Sequence, residues 1–498
     1  MTSLPEMVRQ TLMRDPASAA LAFDGTWHGW GALRRVAEAV AGAVSQAIAE
    51  AGLAADAAQT VAFVARNRPE AVAALLGLLA DGRSIRMIYP FQSGEAIAAA
   101  LSRPDITAVV MHRADHGPCV AAAARRAGLA TILLDGMAPP SVASPCARRH
   151  ATLPGAGAPA PVIEVLTSGT TGPPKHFPVA FSLIEQHFVS TPLTRNQGDD
   201  PAAAPPFLLY FPLGNITGLY ATLPTLLRGQ RAILLERFSL SAWHDYVKTW
   251  RPAHSGVPPS AIRQIMDAQV PVEDLASIKA MGIGAAPLSP ELQSRFETRY
   301  GIPILLAYGA TEFAGPVAMM TAQLHATWGK AKLGSVGKPL AGMKLRVVDP
   351  DTGCELPPGR EGLLHVLCPR VGPDWIATSD LAVIDADGFL FLKGRADGAI
   401  MRGGFKVLPE TVEGALMLHP AIADAAVVGI EDSRLGQVPA AAVEIAPGSS
   451  SPSVAELEAH LRRHLLATQI PAHWHFCDAL PRTPSLKADR SAVKSLFK

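Results

Sequence analysis

Short apolar runs alternate with helix-like segments between residues 60 and 134, and this alternation restricts the fold more than any other feature of the chain. Such alternation predicts a parallel β-sheet with helices packed on both of its faces. The expected strands and helices, in turn, lie at 60–65, 68–80, 84–89, 94–102, 106–111, 118–127 and 130–134.

A second α/β series is expected from about residue 162 to residue 310. It follows a segment at 138–161 that is rich in Pro, Ala, Ser and Gly and is typical of a surface loop. Short strands punctuated by Gly and Pro at 333–393 predict an antiparallel β section. Beyond residue 394, a capping box from Ser453 to Glu456 opens a helix within a small α+β unit.

Composition favours a globular protein whose partners are small molecules. The 498 residues are 49% hydrophobic and 17% charged, and 44 basic against 43 acidic side chains leave a net charge of +1. A near-neutral chain lacks the basic surface of a nucleic-acid-binding protein. Five scattered cysteines without a C-x-x-C pair are typical of a cytosolic protein with reduced thiols, so a cytoplasmic location is expected.

No integral membrane segment is predicted. The N-terminal residues include Glu6, Arg9 and Asp15 and have no apolar core, unlike a signal peptide. The uncharged stretch 201–227 is interrupted by prolines and glycines, which predicts buried strand, loop and helix in place of a spanning helix.

The sharpest motif is a loop rich in hydroxyls and glycines that follows the apolar run 162–166. It reads Thr167-Ser168-Gly169-Thr170-Thr171-Gly172-Pro173-Pro174-Lys175. Glycines let the backbone approach an anion closely, and hydroxyls with backbone N–H groups can surround phosphate oxygens. The P-loop of nucleotide kinases needs G-x-x-x-x-G-K-[ST], whereas here the spacing is G-x-x-G and His176 follows the lysine. An ordinary Gly/Ser/Thr turn remains the alternative for this loop alone.

At this loop the chain resembles the adenylate-forming superfamily, which includes acyl-CoA synthetases, firefly-type luciferases and peptide-synthetase adenylation domains. Further segments resemble motifs of that family, in the family's order. They are 284–288, Tyr308-Gly309-Ala310-Thr311-Glu312, 375–380, 394–413 and 481–487. One match alone would be weak, but six in order identify the superfamily, and we place the chain in its acyl- or aryl-CoA synthetase branch.

The resemblance implies a fold class and a domain division. The fold is α/β, with a large N-terminal domain at 1–396 that contains two α/β subdomains and a β-barrel-like subdomain. A small mobile α+β domain at 397–498 carries the catalytic lysine, and Asp397 matches the hinge position.

The resemblance also implies an ATP- and AMP-binding site. Its residues are Thr167, Ser168, Gly169, Thr170, Thr171, Gly172, Lys175, Gly284, Ala285, Ala286, Tyr308, Gly309, Thr311, Asp380 and Arg395. Tyr308 offers an aromatic face for the base, and Asp380 can accept the ribose hydroxyls, with Arg395 reaching the same sugar. Alone, these three would be a core tyrosine, a turn aspartate and an exposed ion-pairing arginine.

The implied catalytic residues are Lys487, Thr311 and Glu312. A carboxylate that attacks the α-phosphate brings two anions together, and a lysine between them orients both and stabilises the developing charge. Thr311 suits a phosphate and Glu312 suits Mg²⁺. Without the resemblance, Lys487 would be an ordinary surface lysine and Glu312 a solvated carboxylate.

The implied reaction has two steps. The acid and Mg·ATP give an acyl-adenylate and pyrophosphate, and the thiol of CoA then displaces AMP. Gly403 and Gly404 match the segment beside the CoA tunnel, although an ordinary hairpin turn is the alternative there. The acyl pocket is expected to involve Asn215, Ile216, Val257, Gly284 and Gly309. The partners are thus a carboxylic acid, ATP and CoA, and a homodimer is left open.

The chain departs from the family's pattern at several positions. Leu486 replaces the glycine before the catalytic lysine, Ser379 replaces the glycine before Asp380, and His176 replaces the glycine after Lys175. Gly214 and Asn215 stand where Phe and His are common. The last departure predicts a differently shaped, roomier entrance to the acyl site.

Other functions remain open at this stage. A stand-alone adenylation enzyme that loads a carrier protein or forms an amide is the second hypothesis, and a luciferase-type oxygenase or a non-catalytic adenylate-binding protein follows. The mainly apolar segments 210–220, 257–262 and 284–286 favour a hydrophobic acid, either fatty or aromatic.

Substitution of the C-terminal lysine is expected to separate the two half-reactions. Lys487→Ala removes the cation between carboxylate and α-phosphate, so adenylation falls by at least 10²-fold while thioester formation from supplied acyl-adenylate persists. Pyrophosphate exchange measures the first step, and mass detection of the thioester measures the second. Near-wild-type exchange in the variant would contradict the role of Lys487.

Overall fold

The structure is a computed structural model, and its described residues form two compact units. They are residues 2–50, 52, 60–90, 92–145, 160–167, 175–189, 204–284, 288, 290–350, 352–396, 398–407, 409–446, 449–481, 488 and 490–497. One unit is built from 1–167 and 176–246, and the other mainly from 247–498.

The first unit combines two sheets. Its strands are β1 (Ala19–Phe23), β2 (Thr26–Gly29), β3 (Thr60–Val64), β4 (Ser84–Ile88), β5 (Ile106–His112), β6 (Ala130–Leu134), β7 (Ser141–Ser144), β8 (Val162–Thr167), β9 (Lys175–Ala180), β10 (Phe207–Leu209) and β11 (Ala232–Leu234). The larger sheet has the order β7-β6-β5-β3-β4-β8-β9, and the smaller has the order β10-β11-β1-β2.

Several helices of this part of the chain pack on the larger sheet, among them Trp30–Glu50, Pro69–Ala80, Gly94–Ala100 and Pro118–Arg126. The helices up to residue 250 span Leu4–Leu12, Trp30–Glu50, Pro69–Ala80, Gly94–Ala100, Pro118–Arg126, Phe181–Leu183, Ile216–Leu227 and Leu240–Trp250, with a π-helical turn at Ile184–Phe188 and a 3₁₀ turn at Arg113–Asp115. Strands β6, β5, β3, β4 and β8 run parallel to one another. The alternation predicted for 60–134 is therefore confirmed.

Two expectations for this unit were wrong. The segment 138–161 contains β7, which pairs antiparallel with β6 at the sheet edge. Its short Ser-Val-Ala-Ser sequence carries no burial signal, and it is held partly by the Ser144 hydroxyl, which donates to the Thr131 hydroxyl at 2.9 Å. In addition, β8 does not begin a new sheet, because its buried Ile163 and Val165 join it to the first sheet beside β4.

The second unit contains three sheets. Its strands are β12 (His254–Gly256), β13 (Ala280–Ile283), β14 (Ile304–Ala310), β15 (Gly315–Met319), β16 (Lys338–Pro339), β17 (Lys344–Val348), β18 (Gly362–Leu367), β19 (Trp375–Ile384), β20 (Leu390–Arg395), β21 (Ile400–Arg402), β22 (Phe405–Val407), β23 (Ile422–Asp432), β24 (Gly436–Ile445) and β25 (His473–Cys477). Its helices span Pro259–Asp267, Val272–Leu275, Pro290–Tyr300, Ala322–Trp328, Pro409–Leu416, Val454–Arg462 and Arg490–Ser495, with 3₁₀ turns at Thr311–Phe313 and Ala467–Gln469.

These sheets differ in strand direction. Strands β12, β13 and β14 are parallel, and β15 and β16 extend them antiparallel. Strands β17 to β20 form the antiparallel section predicted for 333–393. The C-terminal sheet has the order β22-β21-β24-β23, with β25 beside β24. The predicted α/β fold class with a small C-terminal α+β part is confirmed.

Local signals account for two further elements. The Ser453 hydroxyl accepts the Glu456 N–H at 3.2 Å and so caps the helix Val454–Arg462, as the capping box predicts. The uncharged stretch 201–227 supplies β10 and the helix Ile216–Leu227, which contains Pro224. Within the part of the chain that the structure describes, no helix is long and apolar enough to cross a membrane.

A glycine contact between two helices should control the stability of the first unit. A Cβ added at Gly77 would lie 2.2 Å from the Ala37 carbonyl oxygen of the helix Trp30–Glu50, so Gly77→Ala is expected to lower the free energy of unfolding by about 1–3 kcal/mol. Gly42→Ala is the matched control, because its Cβ would meet nothing within 4 Å and alanine favours a helix by about 0.5–1 kcal/mol. Urea denaturation measures both, and a shift of the same sign in the two variants would contradict this account.

Candidate active site

Tyr308 and Asp380, predicted to hold the adenosine, are joined directly by the fold. Tyr308 lies on β14 and is 7% exposed, and its hydroxyl donates to the Asp380 carboxylate on β19 at 2.5 Å. The Asp380 N–H donates to the Thr378 hydroxyl at 3.0 Å, and that hydroxyl donates to the Leu364 carbonyl at 2.7 Å. The carboxylate is therefore fixed between the end of the parallel sheet and the antiparallel sheet.

Three more of the predicted nucleotide residues lie on neighbouring strand positions. Arg395 pairs with Asp380 in the register of β20 and β19. Gly284 follows β13, where an added Cβ would lie 3.5 Å from the Ala307 carbonyl of β14. Gly309 is the residue after Tyr308. The fold thus brings Gly284, Tyr308, Gly309, Asp380 and the Arg395 backbone to one part of the second unit.

Thr311 and Glu312 occupy a tight turn that follows β14. The 3₁₀ turn Thr311–Phe313 ends at Ala314, whose φ of +51° is unusual for a non-glycine residue. Phe313 is buried, Thr311 is half-buried and Glu312 is exposed. A Cβ added at Gly309 would lie 2.5 Å from the Gly315 carbonyl oxygen, so the close pairing of β14 with β15 requires glycine there. The turn presents a hydroxyl and a carboxylate from a rigid base.

The turn fits the chemistry of a magnesium ion bound with a nucleotide. Hydroxyl and carboxylate oxygens are the hard ligands that Mg²⁺ prefers, and Mg²⁺ is usually held by one or two carboxylates together with phosphates and water. Among the described residues, no group of three His, Cys, Asp or Glu side chains could hold an ion without a substrate. Glu312 is therefore suited to contact an ion carried mainly by the phosphates.

The predicted phosphate loop connects two adjacent strands of the first unit. Thr167 is the last residue of β8, and Lys175 is the first of β9. Arg86 of β4 is buried and donates from Nε to the Glu164 carboxylate of β8 at 2.6 Å. Burial, together with the nearby Arg86 charge, lowers the pKa of His176, which keeps this ring uncharged at neutral pH.

Asn215 caps the helix Ile216–Leu227. Its side-chain oxygen accepts the Gly218 N–H at 2.8 Å, and a Cβ at Gly218 would lie 2.0 Å from the Pro212 carbonyl oxygen. The amide that was predicted to shape the acyl entrance is therefore engaged by the backbone. At the buried Gly214, an added Cβ would make ordinary contacts with Ala65 at 3.6 Å and Met87 at 3.8 Å, so an alanine fits there without displacing a neighbour.

Asn67 fixes the same segment and was not among the residues predicted from the sequence. This side chain is 2% exposed, accepts the Leu213 N–H at 2.8 Å and donates to the Phe211 carbonyl at 2.9 Å. No motif spacing identifies Asn67, because Leu213 lies 146 residues further along the chain.

The residues predicted for the acyl pocket fall in both units. Asn215 and Ile216 belong to the first, whereas Val257, Gly284 and Gly309 belong to the second. Ile216 and Val257 are buried, Gly284 is half-buried and Gly309 is exposed. The pocket itself stays a prediction.

Gly403 and Gly404 form the two-residue turn between β21 and β22. Their φ angles are +55° and +85°, and Arg402 pairs with Phe405 across the turn. Positive φ at both central positions is the requirement of a type I′ hairpin, so the backbone alone explains both glycines. The hairpin alternative is thus observed, and the role beside a CoA tunnel stays a prediction.

Several predicted residues lie outside the described part of the chain. They are Ser168, Gly169, Thr170, Thr171, Gly172, Ala285, Ala286, Asp397 and Lys487. Shortly after the lysine segment, Arg490 contacts the Glu413 carboxylate of the helix Pro409–Leu416 at 3.1 Å. This ion pair joins the helix Arg490–Ser495 to the helix Pro409–Leu416, which packs against β23 of the C-terminal sheet.

The chain belongs to the family of AMP-binding enzymes. The family model described as AMP-binding enzyme matches residues 8–373, and the model of the AMP-binding enzyme C-terminal domain matches residues 411–487. The predicted membership of the adenylate-forming superfamily is therefore confirmed, and the protein is an AMP-forming ligase. ATP, Mg²⁺ and CoA are the substrates and metal cofactor of the CoA ligases of this family.

Individual relatives cover most of the chain. A sulfoacetate–CoA ligase of Cupriavidus necator is 30% identical over 90% of this chain and 89% of its own. A 2-succinylbenzoate–CoA ligase of Bacillus pumilus is 29% identical over 66% of this chain and 68% of its own. The amide bond synthetase McbA from Marinactinospora thermotolerans has a similar structure, with a TM-score of 0.80 and 26% identity over 99% of both chains.

Removal of the Tyr308 hydroxyl tests whether its bond to Asp380 serves nucleotide binding. Tyr308→Phe keeps the aromatic ring but removes a charge-assisted hydrogen bond of about 1.5–3 kcal/mol, so the KM for ATP should rise about tenfold as Asp380 loses its orientation. Pyrophosphate exchange at varied ATP measures this effect.

Tyr300→Phe is the matched control for this experiment. Tyr300 is also buried in the second unit, and its hydroxyl donates to the Val270 carbonyl at 3.0 Å. Loss of that bond should lower stability and leave the KM for ATP unchanged. Equal KM values in wild type and Tyr308→Phe would show that the bond to Asp380 does not serve the nucleotide.

Proposed function

We propose that the protein activates a carboxylic acid with ATP as an acyl-adenylate and transfers the acyl group to the thiol of CoA. The observation that carries this proposal is the joined group of Tyr308, Asp380, Thr311 and Glu312 in a member of the AMP-binding enzyme family. CoA is favoured as the acceptor because the relatives that match most of the chain include CoA ligases.

Each part of the described site has a task in this proposal. The Tyr308 ring stacks on the adenine, and the Asp380 carboxylate, which already accepts the Tyr308 hydroxyl, accepts the ribose hydroxyls. Thr311 contacts the phosphates. Glu312 holds the Mg²⁺ that neutralises phosphate charge when Mg·ATP is bound.

The proposed reaction requires no side-chain nucleophile, because the acyl-adenylate itself is the activated intermediate. Lys487 orients the attacking carboxylate against the α-phosphate, and the 167–175 loop holds the pyrophosphate that leaves. The mixed anhydride then carries the activation to the thiol. Asp397 is the hinge that allows the C-terminal domain at 397–498 to exchange Lys487 for the Gly403–Gly404 turn between the two steps.

Amide formation is the second candidate function. It is favoured by the similarity to the amide bond synthetase, which extends over 99% of both chains at 26% identity. In that case the acyl-adenylate meets an amine, and the Gly403–Gly404 turn has only the structural task of closing a hairpin.

We also propose a cytoplasmic location. Cys119, Cys354, Cys368 and Cys477 are all free thiols within the described residues, as expected in a reducing compartment.

A panel of acids should identify both substrate and acceptor. The protein is incubated with ATP, Mg²⁺ and one acid at a time, with and without CoA, and AMP and acyl products are measured by mass. The panel includes fatty acids, 4-coumarate, 2-succinylbenzoate and sulfoacetate. We expect AMP and an acyl-CoA with at least one hydrophobic acid.

The outcomes separate the two candidate functions. AMP release with acyl-CoA supports the CoA ligase. AMP release without acyl-CoA, together with amide formation when an amine is added, supports the second candidate. Absence of AMP with every acid contradicts adenylation by this chain.

A further inference from the structure

We propose that Arg370 is a positioning residue that sets the geometry of the Glu312 turn and thereby the affinity for magnesium-bound ATP. The inference rests on the proposed function, because it takes Glu312 as the contact for the metal ion. Arg370 lies in the antiparallel part of the second unit, in the turn after β18, and belongs to none of the six motifs.

The Arg370 guanidinium bridges two carbonyls on either side of the strained residue. Nε donates to the Phe313 carbonyl at 2.7 Å, and Nη2 donates to the Pro316 carbonyl at 2.7 Å. Ala314, at a φ of +51°, lies between these two carbonyls. A planar, always charged fork is suited to this bridge, whereas a lysine ammonium is a single point charge.

The turn needs outside partners because it is only one turn long. The Ala314 N–H donates to the Thr311 carbonyl at 2.9 Å and closes the 3₁₀ turn. The last carbonyls of so short a helix have no partner within it. Arg370 supplies the partner for the Phe313 carbonyl, and the Cys368 thiol lies 3.6 Å from the same oxygen. Together they hold the backbone immediately after Glu312.

Arg370 is itself held in place. The N–H groups of Val371 and Gly372 both donate to the Cys368 carbonyl, at 2.9 and 3.1 Å, and so close the turn that carries Arg370. On the other side, the Phe313 ring is 1% exposed and lies 6.0 Å from the Tyr308 ring. The Glu312 turn is thus fixed from two directions, by the guanidinium and by the ring beside the Tyr308–Asp380 pair.

The binding of Mg²⁺ should depend strongly on the position of the backbone that carries Glu312. Mg²⁺ demands near-ideal octahedral geometry, so a carboxylate that shifts with its turn loses more affinity for the ion than for the rest of the nucleotide. Loss of the bridge should therefore weaken Mg·ATP binding and leave metal-free ATP binding nearly unchanged. A purely structural arginine would weaken both forms equally or neither.

Calorimetric titration without an acid substrate tests the inference. The wild-type protein, Arg370→Met and Arg370→Lys are titrated with ATP in Mg²⁺ and with ATP in EDTA. We expect Arg370→Met to bind Mg·ATP about tenfold more weakly, with metal-free ATP within about threefold of wild type. Arg370→Lys should fall between them, because an ammonium can satisfy one carbonyl.

Arg228→Met is the matched control. The Arg228 guanidinium also donates to a backbone carbonyl, that of Val189, at 3.1 and 2.6 Å, but in the first unit. This variant should keep the wild-type effect of Mg²⁺ on ATP binding. In a Glu312→Gln background, Arg370→Met should cause no further loss of the Mg²⁺ effect, because the group that it positions is already altered.

The inference is overturned if Arg370→Met retains the wild-type Mg²⁺ effect, if both forms of ATP weaken equally, or if Mg²⁺ does not affect ATP binding to the wild type. If Arg370→Met does not fold, Arg370→Lys decides by the same comparison. Failure of the proposed function is distinct, because it shows as absent acyl products in the acid panel while these titrations still report on Arg370.

Discussion

The hydrogen bond between Tyr308 and Asp380 is the constraint on which the arrangement of the nucleotide site depends. It joins residues 72 positions apart, one at the end of a parallel sheet and the other in an antiparallel sheet. A charge-assisted bond of this kind contributes about 1.5–3 kcal/mol. Gly284 and the Glu312 turn directly follow strands of the sheet that carries Tyr308, whereas Arg395 lies on β20, the strand paired with the one that carries Asp380. The hydrogen bond is a direct polar link between the two sheets at residues assigned to the adenosine.

Secondary structure was predictable where the hydrophobic pattern is regular and the strands are buried on both faces. The strands β3 to β6 begin and end within about two residues of the expected positions. Short, continuous runs of Val, Ile and Leu between turn signals are typical of strands buried on both faces of a parallel sheet. The edge strand β7 was missed for the opposite reason, since its exposed Ser-Val-Ala-Ser sequence is hardly different from a loop. The place of β8 beside β4 in the first sheet was also missed, because the choice of neighbouring strands depends on contacts between residues far apart in the chain.

Motifs located the candidate site but not its supports. Tyr308, Thr311, Glu312 and Asp380 could be selected because they lie in recognisable local patterns. Asn67 and Arg370 could not, because their partners are backbone carbonyls and N–H groups of distant segments, which leave no trace in local sequence. The glycines form a third category. Gly309 is required by the close pairing of β14 with β15, and Gly403 and Gly404 are required by a hairpin turn, so these glycines say less about a ligand than an aromatic ring or a carboxylate does.

The cap at Asn215 has a consequence for anyone who wishes to redesign the specificity of this enzyme. The side chain at the predicted acyl entrance also satisfies the first turn of the helix Ile216–Leu227. Exchange of Asn215 for a histidine or an alanine would change the entrance and uncap the helix at once, at about 1 kcal/mol. Serine, threonine and aspartate alone offer new volume or charge with the cap retained. Gly214 has no capping duty, and an added Cβ there would make only ordinary contacts, at 3.6 Å with Ala65 and 3.8 Å with Met87, so an alanine can be introduced beside the predicted entrance with the cap intact.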